Sequence, residues 1–403
     1  MPKPSVLHVY KDYYPPVLGG IEKCINWLCR EMRGDFNTRV LVASRSSRFS
    51  DHDEDIQGIR VVQVGCWGRV LSSPIAPRYI HWLRRLDSDI LHFHMPNPTA
   101  ELAYLLAKPP RGRVVVTYHS DIVRQRLTGA LYRPLQKHFL EQARVIMPTS
   151  RAYLQSSATL ADHRARCRVV PLGVRLDELD ESDASRAFSA EIRQRAAGRC
   201  ALVFIGLLRY YKGLPFLLRA LAGLPAESTC LFLAGTSPQG REGERRQLER
   251  LVAELGLQDR VFFLGALSDA EAVGLRRAGD IFCLPSHLRS EAFGLTQVEA
   301  MACGMPVVST RLPGVADVNR DGETGRIAEP GDVESLRQAL ASLIENPDLR
   351  RQMGRAAEER ARRYFSIERM ARMVARIYDD VLAGRGALES QWDEPDADLV
   401  SPV

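Results

Sequence analysis

The sequence predicts an α/β protein of two domains, each a mostly parallel sheet wrapped by helices. Three observations carry that expectation. The 403 residues are too many for one ordinary domain. Short apolar runs alternate with longer helix-patterned segments in both halves, as parallel βα units require. Between the halves, Val169-Val170-Pro171-Leu172-Gly173-Val174 gives way to a polar, charged stretch reaching about Gly198. The first domain is therefore expected over 1–174 and the second from 175.

Val6-Leu7-His8-Val9-Tyr10 reads as the first strand. A loop holding Pro15, Pro16, Gly19 and Gly20 follows, then a helix over about 21–32 with Ile21, Ile25 and Leu28 on one face. Further strands are expected at 38–43, 59–64, 90–94, 114–118 and 145–148, with helices between most of them. The second series opens at 201–206, ALVFIG, and continues through 230–235, 261–265, 281–285 and 306–310, with helices at 244–255 and 333–345. The stretch 388–403 is acidic and Pro-containing and is expected to be a disordered tail. Ligands of open parallel sheets bind beyond the C-terminal strand ends. The chemically loaded residues fall in those loops, so a site in a cleft between the two domains is expected.

Composition narrows the class. A hydrophobic content of 45% is that of a globular protein, and a net charge of +6 is modest for this length. The basic residues form no block, which argues against a nucleic-acid partner. Eight cysteines (24, 29, 66, 167, 200, 230, 283 and 303) show neither C-x-x-C nor zinc-type spacing, so free thiols in a reducing compartment are expected. Met1-Pro2-Lys3-Pro4 leads straight into a strand-like run, so no signal peptide is expected. No apolar run approaches the ~20 residues that span a bilayer. Any membrane contact is expected to be peripheral.

The segment richest in chemistry is 285–310, PSHLRSEAFGLTQVEAMACGMPVVST. Its strand ends at Pro285, a loop runs to Gly294, and a helix begins near Leu295 and is stopped by Gly304 and Pro306. The first N–H groups at Gly294, Leu295 and Thr296 make a half-positive site suited to a diphosphate. Glu299, about one turn on, can reach hydroxyls beside that phosphate, and Glu291 lies in the loop on its other side. The alternative is a solvated loop glutamate and one stabilised by the helix dipole. A second locus is 204–213, FIGLLRYYKG, where Gly206 ends a strand and Arg209 and Lys212 follow. Two cations there would neutralise a leaving diphosphate; a solvated pair flanking Tyr210 and Tyr211 is the competing reading. In the first domain Gly19-Gly20 lies between strand and helix without forming G-x-G-x-x-G. The loop can close amides over a phosphate or be a plain turn. His119, in Thr117-Tyr118-His119-Ser120-Asp121, ends another strand, where it can bond a sugar oxygen or serve the structure.

Three signals are set aside. Asp87-Ser88-Asp89 fits a D-x-D metal clamp but precedes its strand, at the wrong end of the sheet. His92 and His94 share one strand face, with no third ligand in sight. The stretch 78–86, RYIHWLRRL, can rest on anionic lipid or cover the sheet with Arg84 and Arg85 snorkelling.

The loop and helix of 285–310 resemble the family-4 retaining glycosyltransferases, whose pattern is E-x7-E within E-x-F-G-L…E-A-M-A-x-G-x-P-V-V. Glu291-Ala292-Phe293-Gly294-Leu295 and Glu299 through Val308 match it. The resemblance spans nearly the whole chain through GGIE after strand one, TYHSD at 117–121, PLGV at 171–174, LAG at 233–235 and DGETG at 321–325. It implies a GT-B fold of two Rossmann-like domains facing a central cleft, an N-terminal acceptor side and a nucleotide-binding 175–366. It also implies that a helix near 367–385 returns to the first domain, and that no metal or cofactor is needed. By position, Glu299 would hold the ribose and Glu291 the donor-sugar hydroxyls. Lys212 would bind the diphosphate, Gly19 and Gly20 would close over it, and His119 would lie near the donor sugar. Gly206, Phe293, Gly294 and Leu295 complete the implied donor site. One departure stands out: the family has Arg where this chain has Leu207, and Arg209 is expected to take the phosphate role.

The resemblance implies retaining, front-face transfer in which the leaving phosphate helps deprotonate the acceptor. The opening HVY, TYHSDIVRQR and LLRYYKG look most like bacterial polysaccharide mannosyl- and rhamnosyltransferases. They suggest a GDP-mannose-type nucleotide-sugar donor, with UDP-sugars open. The acceptor is expected to be a glycan or lipid-linked glycan, met in the cytoplasm or at the inner face of the cytoplasmic membrane with a peripheral anionic contact. A GT-B sugar-nucleotide epimerase and a non-catalytic sugar-nucleotide-binding protein are the alternatives.

Overall fold

The structure, a computed structural model, describes residues 2–385 apart from 16, 18, 46–48, 71–72, 122–125 and 238–241. The tail expected at 388–403 and Leu18 of the first glycine loop lie outside the described residues. The chain divides into two compact units, Met1–Gly173 with Ile367–Val403, and Val174–Ser366.

The first unit runs through β1 (Ser5–Val9), α1 (Gly20–Met32), β2 (Asn37–Ala43), β3 (His52–Ile56), β4 (Ile59–Val64) and the two-residue strands β5 (Arg69–Val70) and β6 (Ser73–Pro74). It continues with α2 (Tyr79–Arg85), β7 (Ile90–Met95), α3 (Pro98–Ala107), β8 (Arg113–Tyr118), α4 (Arg126–Gln142), β9 (Ala143–Pro148) and α5 (Arg151–Ser156). The sheet order is β3-β4-β2-β1-β7-β8-β9, parallel except for β3. β7 is buried at every position, because helices cover both faces. β3, HDEDI, was not expected. It has no apolar alternation, and it is held by the Gln57-Gly58 turn (φ 55° and 82°) and by Asp53 against Arg60 of β4. A charged strand on an open edge resists pairing with other chains.

The second unit comprises α6 (Asp183–Ala196), β10 (Cys200–Ile205), α7 (Leu214–Ala222), β11 (Thr229–Ala234), α8 (Glu242–Glu254), β12 (Val261–Gly265), α9 (Asp269–Ala278), β13 (Ile281–Leu284), α10 (Leu295–Ala302), β14 (Val307–Thr310), α11 (Val315–Val318), β15 (Gly325–Ala328), α12 (Val333–Ile344) and α13 (Pro347–Tyr364). Its six strands are all parallel, in the order β12-β11-β10-β13-β14-β15. β15 has no long apolar run to announce it, and only its Gly325 falls in the DGETG stretch. It needs Gly325, because a Cβ there would meet the Val307 carbonyl oxygen at 1.9 Å. Leu202, Phe204, Leu231 and Leu233 pack with Leu217 and Leu218 of α7 in the core. Each such side chain contributes about 1.5–3 kcal/mol by leaving water.

α14 (Ile367–Leu382) closes the chain and groups with the first unit. Its buried stripe, Met370, Val374, Ile377 and Tyr378, recurs at helical spacing. Met370 meets Cys24 of α1, and the Tyr378 ring lies edge-on to Phe36 at 5.3 Å. Strand order reverses between β1 and β7 in one sheet and between β10 and β13 in the other. Those are the points where open α/β sheets bind ligands.

Candidate functional site

In the second unit three glycines bring the loops after β10, β11 and β13 into backbone contact. Gly235 (φ 134°) leaves room for the Gly206 carbonyl, which a Cβ would meet at 1.9 Å. Gly213 (φ 72°) does the same for the carbonyl of Pro285, again at 1.9 Å. Lys212, in the turn Tyr210–Lys212, is thereby carried to the β13 loop. There its ammonium is paired with Glu291, and both side chains are 10% exposed. Ser286 Oγ donates to the same carboxylate oxygen at 3.1 Å, and its own carbonyl accepts from Thr310 Oγ1 at 2.5 Å. Burial pulls the Lys212 pKa down, but the Glu291 carboxylate outweighs it, and the ammonium is held above the usual lysine range. The Lys212 Nζ also stands 5.5 Å from the centroid of the Tyr211 ring.

Arg209 enters this turn as its N-cap residue and exerts a Coulombic effect on Lys212. Its buried Nε finds no hydrogen-bond partner among the described residues. Leu207, at the family's Arg position, is partly exposed instead. The expected pair of cations is therefore present, but Lys212 is already neutralised by a carboxylate rather than solvated.

α10 starts at Gly294, whose φ of 77° suits glycine and whose Cβ would strike Leu284 Cδ2 at 2.5 Å. No side chain among the described residues caps this helix. Gln297, which stands near enough, turns its Nε2 to the carbonyls of Phe293 (2.6 Å) and Val315 (3.3 Å). The amides of Gly294, Leu295 and Thr296 thus lie at an end with positive dipole and no intrahelical acceptor. Glu299, one turn on, has a partner beyond the helix dipole that the alternative reading gave it. Its Oε2 is paired with Arg276 of α9, the two side chains being 12% and 5% exposed. Among the described residues no hydrogen bond reaches its Oε1. Arg276 was missed, since nothing in 269–278 announces a partner 23 residues away.

In the first unit Gly19 is the N-cap of α1, and Glu22 in its first turn is buried. The Glu22 carboxylate folds back so closely that a Cβ on Gly19 would meet it at 1.9 Å, and burial raises its pKa. The end of α1 is therefore occupied by a carboxylate of the chain itself. His119 follows β8 and is no isolated strand-end histidine. Its Nε2 lies 3.1 Å from His94 Nδ1, and His94 Nε2 lies 3.1 Å from His8 Nδ1. His92 stacks on His94 but turns its nitrogens to Tyr378 Oη (2.5 Å) and Thr117 Oγ1 (2.7 Å). The expectation of no third histidine near His92 and His94 is thus corrected: His8, on the neighbouring strand, brings three ring nitrogens within 4.8 Å of one another. Strand register makes this cluster, as His8 pairs with His92 and His94 with Thr117.

The signals set aside lie elsewhere. Asp89 caps the Ser5 amide at 2.8 Å, and Asp87 pairs with Arg111 at 3.1 Å, at the N-terminal edge of the sheet. α2 buries Tyr79 and Leu83, and Arg84 donates to the carbonyls of Ala107 (2.9 Å) and Leu106 (3.2 Å) at the end of α3. No helix among the described residues is long and apolar enough to cross a membrane.

Comparison with known proteins gives the family. Residues 18–178 match the family described as Glycosyltransferase Family 4, and 186–360 match Glycosyl transferases group 1. The chain is 34% identical over 367 residues to D-rhamnosyltransferase WbpZ of Pseudomonas aeruginosa, covering 90% of this chain and 92% of that one. It is 32% identical over 389 residues to O-antigen chain mannosyltransferase C of Escherichia coli, covering 94% and 99%. Among solved structures it is similar to a sucrose-phosphate synthase from Thermosynechococcus elongatus, with a TM-score of 0.80 and 22% identity over 95% of this chain and 100% of that one. On these grounds the chain belongs to the family-4 glycosyltransferases and is a glycosyltransferase of GT-B fold.

Proposed function

We propose that the chain is a retaining hexosyltransferase. It takes its sugar from a GDP-mannose-type nucleotide donor and passes it to a glycan or lipid-linked acceptor in cell-surface polysaccharide assembly. The observation that carries this reading is the cluster at the ends of β10 and β13. Lys212, Arg209 and the uncapped start of α10 offer positive charge to a diphosphate, beside two buried carboxylates that can accept from sugar hydroxyls. The names of the two relatives support a manno-configured sugar, since D-rhamnose and mannose share ring stereochemistry and differ at C6.

In this reading the second unit is the nucleotide side. Glu299 takes the ribose and Glu291 the donor-sugar hydroxyls. Lys212, Arg209 and the amides of Gly294 to Thr296 take the diphosphate, with Gly206 and Phe293 in the same loops. The first unit is the acceptor side and supplies His119 and the Gly19-Gly20 turn. Two carboxylates that could act as nucleophiles are engaged otherwise: Asp121 Oδ1 accepts from Tyr118 Oη and Ser157 Oγ, both at 2.8 Å, and Glu291 from Lys212 and Ser286. That favours front-face transfer, the leaving phosphate receiving the acceptor proton. The chain would work at the inner face of the cytoplasmic membrane. The exposed Phe49 (74%) and Trp67 (53%) support a peripheral contact there, with Arg78 bonded to the Phe49 carbonyl at 2.9 Å.

Thermal melting with GDP and with UDP tests the reading. A ligand at 100 times its Kd stabilises by about 2.7 kcal/mol, so GDP is expected to raise Tm by several degrees and UDP by less. Failure of both to shift the melt would sink the nucleotide-site assignment. A shift with UDP alone would replace the donor base.

A further inference from the structure

Three buried imidazoles form one head-to-tail chain. It runs from His8 on β1 through His94 on β7 to His119 beyond β8, with 3.1 Å at each junction and each pair of rings stacked at 5.4 Å. All three are at most 4% exposed. At the two ends, His8 Nε2 and His119 Nδ1 are buried and without hydrogen-bond partners among the described residues. A metal ion does not account for the arrangement. It would need several nitrogens about 2.0–2.1 Å from one point, whereas the inner nitrogens of the chain face each other and both nitrogens of His92 face hydroxyls.

A neutral imidazole carries one N–H and one lone pair. If His94 holds its proton on Nδ1, that N–H donates to His119 Nε2, and His119 must then be protonated on Nδ1. At the other junction His94 Nε2 is a lone pair, so His8 must donate from its own Nδ1. If the His94 proton sits on Nε2, all three rings reverse together. A mixed arrangement would set two N–H groups, or two lone pairs, face to face in a dry interior. We propose that His94 and His8 are positioning residues that couple the tautomer of His119 to their own, so that its Nδ1 edge presents to the sugar oxygen it meets the one hydrogen-bonding sense held by the whole chain. The inference rests on the reading of His119 as a donor-sugar residue. Burial supports it by keeping the chain uncharged: it lowers the His119 pKa to about 3, with the Lys11 ammonium adding to the effect. The His8 pKa is likewise lowered to about 3.

The test is long-range proton–nitrogen correlation NMR on the full chain labelled at its nine histidines, with signals assigned from single variants. In the wild type His8, His94 and His119 are expected as neutral rings in one and the same tautomer near pH 7. Opposite tautomers at His94 and His119, or an imidazolium at either, would overturn the proposal, and this reading is made on the wild-type chain. In His8→Phe the His94 and His119 signals are expected to move to a tautomer mixture or to the reversed form. kcat should fall at least about tenfold while the donor KM stays within about twofold, as when an imidazole loses the partner that orients it. Unchanged His119 signals in a folded His8→Phe would equally overturn it. Tyr378→Phe, which removes a bond of His92 only, should leave the His119 signals and kcat as in the wild type. His119→Ala separates the two readings. If it retains full turnover, the donor-sugar role of His119 fails, while the shared tautomer stands or falls on the spectra alone.

Discussion

Replacing Arg276 by methionine should damage the enzyme in two separable ways. Arg276 and Glu299 are both nearly enclosed, at 5% and 12% side-chain exposure. Removing one member of such a pair leaves a buried charge uncompensated and costs about 3–5 kcal/mol. For a unit of this size roughly 2–4 °C of Tm is lost per kcal/mol, so Arg276→Met should melt on the order of 10 °C lower. The second effect is on the ligand. With Oε2 unheld, the carboxylate that is to receive the ribose no longer has a fixed direction, and nucleotide affinity should fall by roughly tenfold, about 1.4 kcal/mol.

Melting curves give the first effect and calorimetric titration with the nucleoside diphosphate gives the second. A double-mutant cycle with Glu299→Gln ties them together. Neighbours in one ion pair couple by about 0.5–3 kcal/mol, so the double variant should lose clearly less than the sum of the single losses. Strict additivity in stability would refute the pairing. A folded Arg276→Met with wild-type nucleotide affinity would refute the positioning argument and leave Arg276 a structural residue.

Two further predictions concern other charges. Arg209→Ala removes a cation set to form charge-assisted bonds worth about 1.5–3 kcal/mol, so kcat/KM for the donor should fall by roughly 10- to 100-fold. Unchanged donor affinity and turnover would show that Arg209 does not replace the family arginine absent at Leu207. Glu101 is fully buried, accepting from the Asn97 amide at 2.8 Å and from Tyr132 Oη at 2.5 Å, and burial raises its pKa from 4.5 to about 7. Between those values the unfolded chain releases a proton that the folded chain keeps, so stability falls as pH rises through that window and levels off above it. At 1.36 kcal/mol per unit the loss is about 3 kcal/mol. Glu101→Gln can accept from the Asn97 amide through Oε1 and donate from Nε2 to Tyr132 Oη, so urea melts at pH 5 and pH 8 should show its advantage over the wild type growing with pH; parallel pH profiles would refute this.

The legible parts of the sequence are those whose physics is local. β11, TCLFLA, is buried at every position and announces itself as an apolar run. Lys212, Glu291, Gly294 and Glu299 lie in two short segments, where a strand end, a glycine and a helix start can be read in order. The parts that stayed hidden are made by contacts between distant segments. β3 has no hydrophobic face to betray it and owes its place to a turn and to Arg60. Arg276 looks like any arginine near a helix end until α9 and α10 are packed together. His8 was read as a strand residue and His119 as a lone one, because only parallel register across β1, β7 and β8 joins them. His92 and His94, two apart on one strand, were noticed for the opposite reason.

The two units solve the same difficulty in different ways. Polar groups kept in reserve for a ligand must be held out of water, and a lone buried charge costs several kcal/mol. In the second unit the answer is pairing: Lys212 with Glu291 and Arg276 with Glu299, so that each carboxylate has a cation that holds its direction. Around the histidines and Glu22 of the first unit the answer is discharge. Burial strips the proton from His8, His92, His94 and His119 and raises the pKa of Glu22; His8, His94 and His119 bond one another at their inner nitrogens, and His92 bonds two hydroxyls. In the proposed reading the division follows from what each side binds. A diphosphate calls for cations, and pairing with a carboxylate lets Lys212 stay buried until one arrives. Sugar hydroxyls call for oriented donors and acceptors without net charge, which a chain of neutral rings would supply.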